Sequence, residues 1–242
     1  MKIKHIRFED LILYNDEDLL AINKPTGYSS LSERFEPDTG LLEMGRKLFP
    51  DLKLCHRLDK YTTGILLFAH HAEAYRNLSI QFQKREVQKI YKTVINEARH
   101  FDHLEVKAPL SPIIKGTVRI DYKDGKPALT LVHSEKIFRG HTYVRCQPLT
   151  GRSHQIRVHM AYLKCPIVGD LLYGGKNLYL SEFKRKYRLT GDQDEYPLND
   201  NYLLHAESIT CKHPTKNEDL TLSAPFPKNF RVILELLEKH DQ

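Results

Sequence analysis

The motif His56-Arg57-Leu58-Asp59-Lys60-Tyr61-Thr62-Thr63-Gly64 leads directly into the apolar run Ile65-Leu66-Leu67-Phe68-Ala69. A short, continuous apolar run that opens at a glycine and closes at two histidines predicts a buried strand. Asp59 stands at the mouth of this strand, among basic and hydroxyl side chains. Arg57 lies two residues earlier, so in an extended segment both side chains point to one face. The spacing indicates either a rigidly held active-site carboxylate or a structural ion pair in a loop, and it leaves both open.

The segments on either side of this stretch predict alternating strands and helices. Two short apolar runs at 11–14 and 19–22 flank an acidic turn, which predicts a strand, a turn and a second strand. The apolar positions of 41–49 have helical spacing and end at Pro50. After the apolar run, residues 72–82 carry apolar side chains four apart and predict an amphipathic helix.

The second half of the chain is richer in predicted strands. Alternating or apolar patterns predict strands at four segments: 87–95, 117–122, 128–138 and 142–149. Ser153 is expected to cap a helix that Pro166 stops. A final hairpin and a closing helix are predicted at 202–211 with 220–222 and at about 227–239. The polar segments 28–39 and 176–200 predict loops, the second with a short helical piece.

No repeat, low-complexity tract or linker divides the chain. We therefore expect one α+β domain over 1–242, with its core at about 11–230 and helices flanking a mixed, largely antiparallel sheet. A length of 242 residues allows a substantial core, and a net charge of +6 is compatible with a polyanionic partner. The N-terminus lacks the apolar region of a signal peptide, and no run is long enough to span a membrane, so a cytoplasmic location is expected.

The cysteines and histidines do not show the spacing of a metal site. Four scattered cysteines without a Cys-x-x-Cys pair indicate reduced, mostly buried thiols: Cys55, Cys146, Cys165 and Cys211. His154 and His159 are five apart, and His70 and His71 are adjacent, which matches no recognised zinc ligand pattern. We therefore expect neither a metal nor a cofactor.

Two further clusters carry polar groups that could act in chemistry. Tyr91 lies on a predicted strand among basic side chains, namely Lys84, Arg85, Lys89 and Lys92. The segment 149–159 (LTGRSHQIRVH) is dense in hydrogen-bond donors around one glycine turn. Taken alone, the first is compatible with an ordinary amphipathic strand, and the second with a capped helix that has a solvated basic face.

Together these segments resemble the RluA class of RNA pseudouridine synthases. HRLDKYTTGILLFA (56–69) is similar to the signature of that class, and LTGRSHQIRVHMAYLKCPIVGDLLYG (149–174) to a second hallmark. Four other segments match in the order of the class: LLAINKPTG (19–27), KIYKTVI (89–95), LLHAESITCKHP (203–214) and LSAPFP (222–227). The resemblance reaches from about Leu11 to Phe230, and it departs from the class in 28–39 and at Thr63, where serine is more usual. We expect the catalytic domain alone, without an S4-type RNA-binding module.

The resemblance implies isomerisation of uridine in RNA to pseudouridine, without metal or cofactor. Asp59 would be the catalytic carboxylate, acting as a nucleophile at C1′ or as a base at C2′. Arg157 would pair with Asp59, Tyr91 would lie against the uracil, and Arg57 would handle the flipped nucleotide. Phosphate contacts are expected from a basic group: Lys84, Arg85, Lys89, Lys92, Arg145 and Arg152.

The expected partner is rRNA or tRNA, with rRNA favoured, and the protein is expected to act as a monomer without an obligatory protein partner. Two other functions remain open from the residues alone. A non-catalytic RNA-binding protein of the same fold would not need Asp59. A hydrolase of glycosidic bonds generally uses a pair of carboxylates, whereas the motif supplies one.

Overall fold

A computed structural model describes residues 6–32, 39–113, 116–184, 194–199, 201–216 and 218–240. The strands are, in chain order, β1 (Ile12–Asn15), β2 (Leu19–Lys24), β3 (Lys53–Leu54), β4 (Thr63–Ala69), β5 (Gln88–Ile95), β6 (Leu104–Lys107), β7 (Leu110–Pro112), β8 (Val118–Ile120), β9 (Leu129–Phe138), β10 (His141–Pro148), β11 (Leu204–Lys212) and β12 (Asp219–Ser223). The helices are α1 (Leu41–Arg46), α2 (Ala72–Lys84), α3 (Gln155–Tyr162) and α4 (Lys228–Lys239). No helix in these described ranges is both long and apolar enough to cross a membrane.

The chain divides into two compact units. The first comprises Met1–Ile90 and His205–Pro225, and the second comprises Tyr91–Leu204 and Phe226–Gln242. The expectation that 1–242 acts as one catalytic domain stays a prediction.

The first unit is organised around β4, the apolar run that follows the Asp59 motif. Every residue of β4 is buried, as its continuous apolar sequence predicts. β2 pairs with β4 in antiparallel orientation, whereas His205 and Ala206 of β11 pair with Thr63 and Gly64 in parallel orientation. Gly64 has a φ of 107°, and a Cβ there would lie 2.1 Å from the carbonyl oxygen of Ala206, so only glycine allows this approach.

The other elements of the first unit extend and cover this arrangement. β1 pairs with β2, β3 with β4 and β12 with β11, each in antiparallel orientation. Helix α2 buries the apolar face that its four-residue spacing predicts, with Ala74 and Leu78 fully buried. The Asp59 loop therefore leads into the most buried strand of the unit.

The second unit contains antiparallel strand pairs that are packed on helices. β10 lies between β5 and β9, and β9 also pairs with β6, while β7 and β8 form a separate hairpin. Ile156 and Met160 of α3 pack with Val132 and Val144 of the strands in one buried cluster. Helix α4 buries Phe230, Ile233 and Leu237 in another cluster.

The predicted class of fold, α+β with a mixed and largely antiparallel sheet, is confirmed by these pairings, in which only β4 and β11 are parallel. The Ser153 cap is wrong: His154, at a φ of 53°, occupies the N-cap of α3 and its side chain makes no capping hydrogen bond. The helix ends at Tyr162, before Pro166. Of the two predicted loops, 33–38, 185–193 and 200 lie outside the described residues, and a 3-10 turn occupies Leu180–Glu182.

Candidate active site

The loop that carries Asp59 is held through its backbone by the segment after β2. The hydroxyl of Ser30 donates to the carbonyl oxygen of Leu58 and accepts from its amide, both at 3.0 Å. The Gly27 amide donates to the Lys60 carbonyl oxygen at 3.0 Å, and the Thr26 hydroxyl donates to the Tyr61 carbonyl oxygen at 3.3 Å. These bonds restrain the backbone on both sides of Asp59.

Lys24, the last residue of β2, is a buried cation that binds this loop. Its side chain is fully buried, and its Nζ donates to the carbonyl oxygens of Pro25 at 3.0 Å, Lys60 at 2.8 Å and Thr62 at 2.8 Å. Burial lowers the pKa of Lys24 to about 7, and the negative charge of Asp59 opposes that shift. An ammonium therefore lies close enough to Asp59 to act on it electrostatically, and all three of its donors are used by the backbone.

Arg57, two residues before Asp59, has an exposed side chain. Leu58, between the two, is buried, which agrees with the alternation of an extended segment. The interpretation of Arg57 and Asp59 as a structural ion pair stays a prediction, and Arg57 is an exposed cation two residues before the carboxylate.

The end of the loop is fastened to β11 by His205. The Nε2 of His205 lies 3.0 Å from the carbonyl oxygen of Ala224, which only accepts, so Nε2 carries the proton. Its Nδ1 then accepts from the Thr63 hydroxyl at 2.8 Å. Burial lowers the pKa of His205 to about 4, so the imidazole stays neutral near pH 7 and serves as a structural link.

His56, at the other end of the loop, is also neutral. The Leu67 amide of β4 donates to its Nε2 at 3.1 Å, and its ring packs on Phe82 with 5.2 Å between centroids. Burial, assisted by the positive charge of Lys89, lowers the pKa of His56 to about 3. This histidine therefore positions the loop and is unsuited to proton transfer near pH 7.

In the second unit, Tyr91 lies on β5 opposite Cys146 of β10 and packs, half-buried, against the apolar core. The next residue, Lys92, is buried and forms an ion pair with Glu135, with its ammonium 5.5 Å from the centre of the Tyr143 ring. The proposed contact between Lys92 and phosphate does not fit this position, because its charge is already compensated in the interior of the unit.

Arg157 is rigidly held by Asp170. Its Nε and Nη2 donate to the two carboxylate oxygens at 2.7 and 2.8 Å, and the side chains are 6% and 1% exposed. The guanidinium also stacks on Tyr202 and Tyr173, at 4.1 and 4.9 Å from the ring centres. Such a bidentate, stacked geometry is specific to arginine, so lysine could not replace it.

The turn before α3 is held by Gln155. Its amide group donates to the carbonyl oxygen of Leu129 and to the Thr130 hydroxyl, both at 2.9 Å. Its carbonyl oxygen accepts from the Thr150 hydroxyl at 2.7 Å and the Arg152 amide at 3.0 Å. Gln155 therefore satisfies the turn that Ser153 was expected to cap.

The remaining predicted cations differ in their surroundings. Lys84 and Arg85, at the end of α2, are exposed. Lys89 is half-buried, and burial lowers its pKa. Arg152 uses its Nε to bind the carbonyl oxygen of Pro127 at 3.2 Å, which leaves part of its guanidinium for other contacts.

The predicted site residues are divided between the two compact units. Asp59 belongs to the first, whereas Tyr91 and Arg157 belong to the second, and the pairing of Arg157 with Asp59 stays a prediction. The positions of Lys24 beside Asp59 and of Asp170 beside Arg157 were not predicted from the sequence. The available signals were a lysine that closes an apolar strand before proline and a lone acid between glycine and leucine in the second hallmark segment.

Comparison of the sequence with known proteins identifies a matching family and several similar proteins. The family model described as RNA pseudouridylate synthase matches residues 18–162. "Ribosomal large subunit pseudouridine synthase C" of Buchnera aphidicola subsp. Baizongia pistaciae is 34% identical over 239 residues, which cover 96% of this chain and 72% of the relative. The protein of the same name from Escherichia coli (strain K12) is 34% identical over 235 residues, covering 94% and 70%.

Solved structures give the same result. The human protein "RNA Pseudouridylate Synthase Domain Containing 4" superposes with a TM-score of 0.75 at 25% identity, covering 96% of this chain and 95% of the other. "RNA Pseudouridylate Synthase Domain Containing 1", also human, superposes with a TM-score of 0.70 at 26% identity, covering 93% and 87%. The chain therefore belongs to the RNA pseudouridylate synthase family, in the RluA class, and is an enzyme that makes pseudouridine in RNA.

Proposed function

We propose that this enzyme isomerises specific uridines of ribosomal RNA and that Asp59 is its catalytic carboxylate. The observation that carries the assignment of Asp59 is the loop itself, whose backbone is bonded by Ser30 and Lys24 on both sides of this residue. Catalysis requires a reacting group to be held close to its productive position before the substrate arrives. The choice of rRNA rests on relatives that are named as ribosomal large subunit pseudouridine synthases.

The isomerisation breaks the N1–C1′ bond, turns the uracil and joins C5 to C1′. Asp59 supports this either as a nucleophile at C1′ or as a base that removes the C2′ proton to give a glycal. In either route the proton on C5 is finally lost and N1 gains one, so no group is donated to or removed from the nucleotide. The negative charge of Asp59 in turn favours the protonated form of Lys24, so the two groups interact electrostatically.

Further site residues act on the substrate in this proposal. Tyr91 lies against the uracil, Arg157 pairs with Asp59 while Asp170 keeps the guanidinium oriented, and exposed Arg57 occupies the space that the flipped uridine vacates. Phosphate contacts come from the remaining basic group: Lys84, Arg85, Lys89, Arg145 and Arg152. Lys92 is left out because Glu135 compensates its charge.

Mapping of pseudouridine in total RNA tests both the rRNA target and the catalytic role of Asp59. Cells that lack the gene should lose pseudouridine at discrete rRNA positions, wild-type protein should restore it, and Asp59→Asn at equal abundance should not. Loss confined to tRNA would refute the rRNA target and leave the chemistry intact. Restoration by Asp59→Asn would refute the catalytic role of this carboxylate, and release of free uracil would indicate a hydrolase. A cytoplasmic monomer without a protein partner is expected to suffice.

A further inference from the structure

A cluster of imidazole and carboxylate groups lies in the second unit, among residues that the proposed isomerisation does not use. Asp102 and His103 precede β6, and His133 lies on β9. Leu104 pairs with Val132, so the register of β6 and β9 brings His103 beside His133. We call Asp102, His103 and His133 the His–Asp cluster.

The ligand atoms of the His–Asp cluster converge. Asp102 Oδ1 is 3.8 Å from His133 Nδ1 and 3.9 Å from His103 Nε2, and the three groups offer atoms that all lie within 4.8 Å of one another. The two imidazole rings are stacked with centroids 4.5 Å apart. Neither separation from Asp102 is short enough for a hydrogen bond.

His133 supplies a second, independent observation. Its Nδ1 is buried and has no hydrogen-bond partner, and it is the one buried side-chain atom of this kind within the described residues. Buried polar atoms are nearly always satisfied, so an exception calls for an explanation such as an absent ion. The unsatisfied Nδ1 is also the atom that lies 3.8 Å from Asp102 Oδ1.

We propose that the His–Asp cluster binds one divalent transition-metal cation of the Zn²⁺ type. Imidazole nitrogens with one carboxylate suit such cations, whereas Mg²⁺ and Ca²⁺ prefer oxygen ligands. A cation would accept the lone pair of His133 Nδ1 and would satisfy it. The proposal goes beyond the proposed isomerisation and does not depend on it.

The geometry requires a modest rearrangement. With bonds of about 2.1 Å, tetrahedral ligands lie roughly 3.4 Å apart, so the distances from Asp102 Oδ1 to the two imidazoles must each shorten by about 0.5 Å. The rings are 28° from parallel, and a cation cannot lie in both ring planes until one ring turns. His103 can turn, because its side chain is 72% exposed. The site is therefore expected to be moderate in affinity, with positions left open to water.

The charges around the cluster set a further requirement. Arg145 of β10 lies directly opposite His133 in the strand pairing, and its positive charge disfavours a cation there. Asp102, whose side chain is 76% exposed, is the carboxylate that offsets this charge. Removal of Asp102 should therefore weaken binding as strongly as removal of either histidine.

The described ranges contain a second group of aspartate and histidine side chains, but none of its buried atoms lacks a hydrogen-bond partner as His133 Nδ1 does. In Asp16, Asp18 and His213, the carboxylates already accept hydrogen bonds from His213 and Thr215 at 2.7 and 2.6 Å. His213 Nδ1 also accepts from the Lys216 amide at 3.3 Å. These groups satisfy one another without an ion, so the proposal is confined to the His–Asp cluster.

Isothermal titration of the tag-free chain with ZnCl₂ at pH 7.5, with MgCl₂ as the comparison salt, tests this proposal. We expect saturable binding of one Zn²⁺ per chain with a Kd below about 100 µM, and no heat with Mg²⁺. His133→Gln, His103→Gln and Asp102→Asn should each weaken binding at least about tenfold. The matched control is His100→Gln, an exposed histidine of the same loop outside the cluster, which should bind like wild type.

Circular dichroism before titration checks that each variant is folded, and the exposed Asp102→Asn keeps the test valid if His133→Gln is unstable. Absence of a saturable site in wild type overturns the proposal. Wild-type affinity in folded His133→Gln or Asp102→Asn, or loss of binding in His100→Gln, overturns it as well.

Discussion

Replacing Lys24 with methionine should change how stability depends on pH. Lys24 is fully buried, and its pKa falls from 10.5 to about 7 in the folded protein because burial disfavours its charge. Below pH 7 both the folded and the unfolded chain carry this proton. Between about pH 7 and 10.5 the unfolded chain binds it and the folded chain does not, so the free energy of unfolding rises with pH.

The size of the effect follows from the shift. Each pH unit inside this window adds about 1.4 kcal/mol to the stability of wild type relative to Lys24→Met. From pH 7.5 to 9.5 the difference between the two proteins should change by about 2–3 kcal/mol in favour of wild type. Because all other titrating groups are common to both proteins, their contributions cancel in the difference.

Urea denaturation at pH 6, 7.5 and 9.5, followed by circular dichroism, measures this difference. Parallel stability curves for the two proteins at all three pH values would refute the reasoning, since Lys24 would then have the same pKa in both states. The variant also loses the bonds from Nζ to Lys60 and Thr62, which flank Asp59. Its kcat should therefore fall, by up to about 100-fold for a displacement near 1 Å, with little change in RNA affinity.

Substitutions at three further positions test contacts within each of the two units. Asp170→Asn leaves Arg157 buried without its carboxylate and should cost about 3–5 kcal/mol in urea denaturation; a loss below about 1 kcal/mol would show that the pair is dispensable. Thr63→Val leaves Nδ1 of His205 without its donor and should cost about 1–3 kcal/mol, whereas Thr63→Ser should keep most of that stability; equal stability of all three proteins would contradict this hydrogen bond. Gly64→Ala places a Cβ 2.1 Å from a backbone oxygen and should abolish soluble expression, so a well-folded Gly64→Ala protein would contradict the strand pairing.

Elements with a strong local pattern were predictable. The continuous apolar sequence of β4 and the four-residue spacing of α2 encode their burial, so each could be placed from the sequence. β3, β6 and β7 were not predicted, because strands of two to four residues depend on partners that are distant in sequence. The start of α3 was misplaced since Gln155 bonds the turn from inside the helix, which the Ser153 capping pattern does not reveal.

The candidate site was predictable only in part. The motif predicts Asp59 as the catalytic carboxylate, which stays a prediction, and its spacing drew attention to Arg57, whereas the buried cation that interacts with Asp59 is Lys24. Sequence spacing indicates which side chains share a face of a strand. Burial of an ammonium, however, requires carbonyl groups that only folding brings together. The His–Asp cluster was missed for the same reason, because its histidines meet only through the register of β6 and β9.

The catalytic role of Asp59 can be measured by single-turnover conversion of an RNA substrate labelled with tritium at C5 of uridine. Purified Asp59→Asn, in excess over RNA and at a concentration that saturates binding, is compared with wild type. If Asp59 is the catalytic carboxylate, the variant binds the RNA with wild-type affinity and releases no tritium above background. Tritium release by Asp59→Asn at a rate within about tenfold of wild type, a difference of only about 1.4 kcal/mol in barrier, would contradict it.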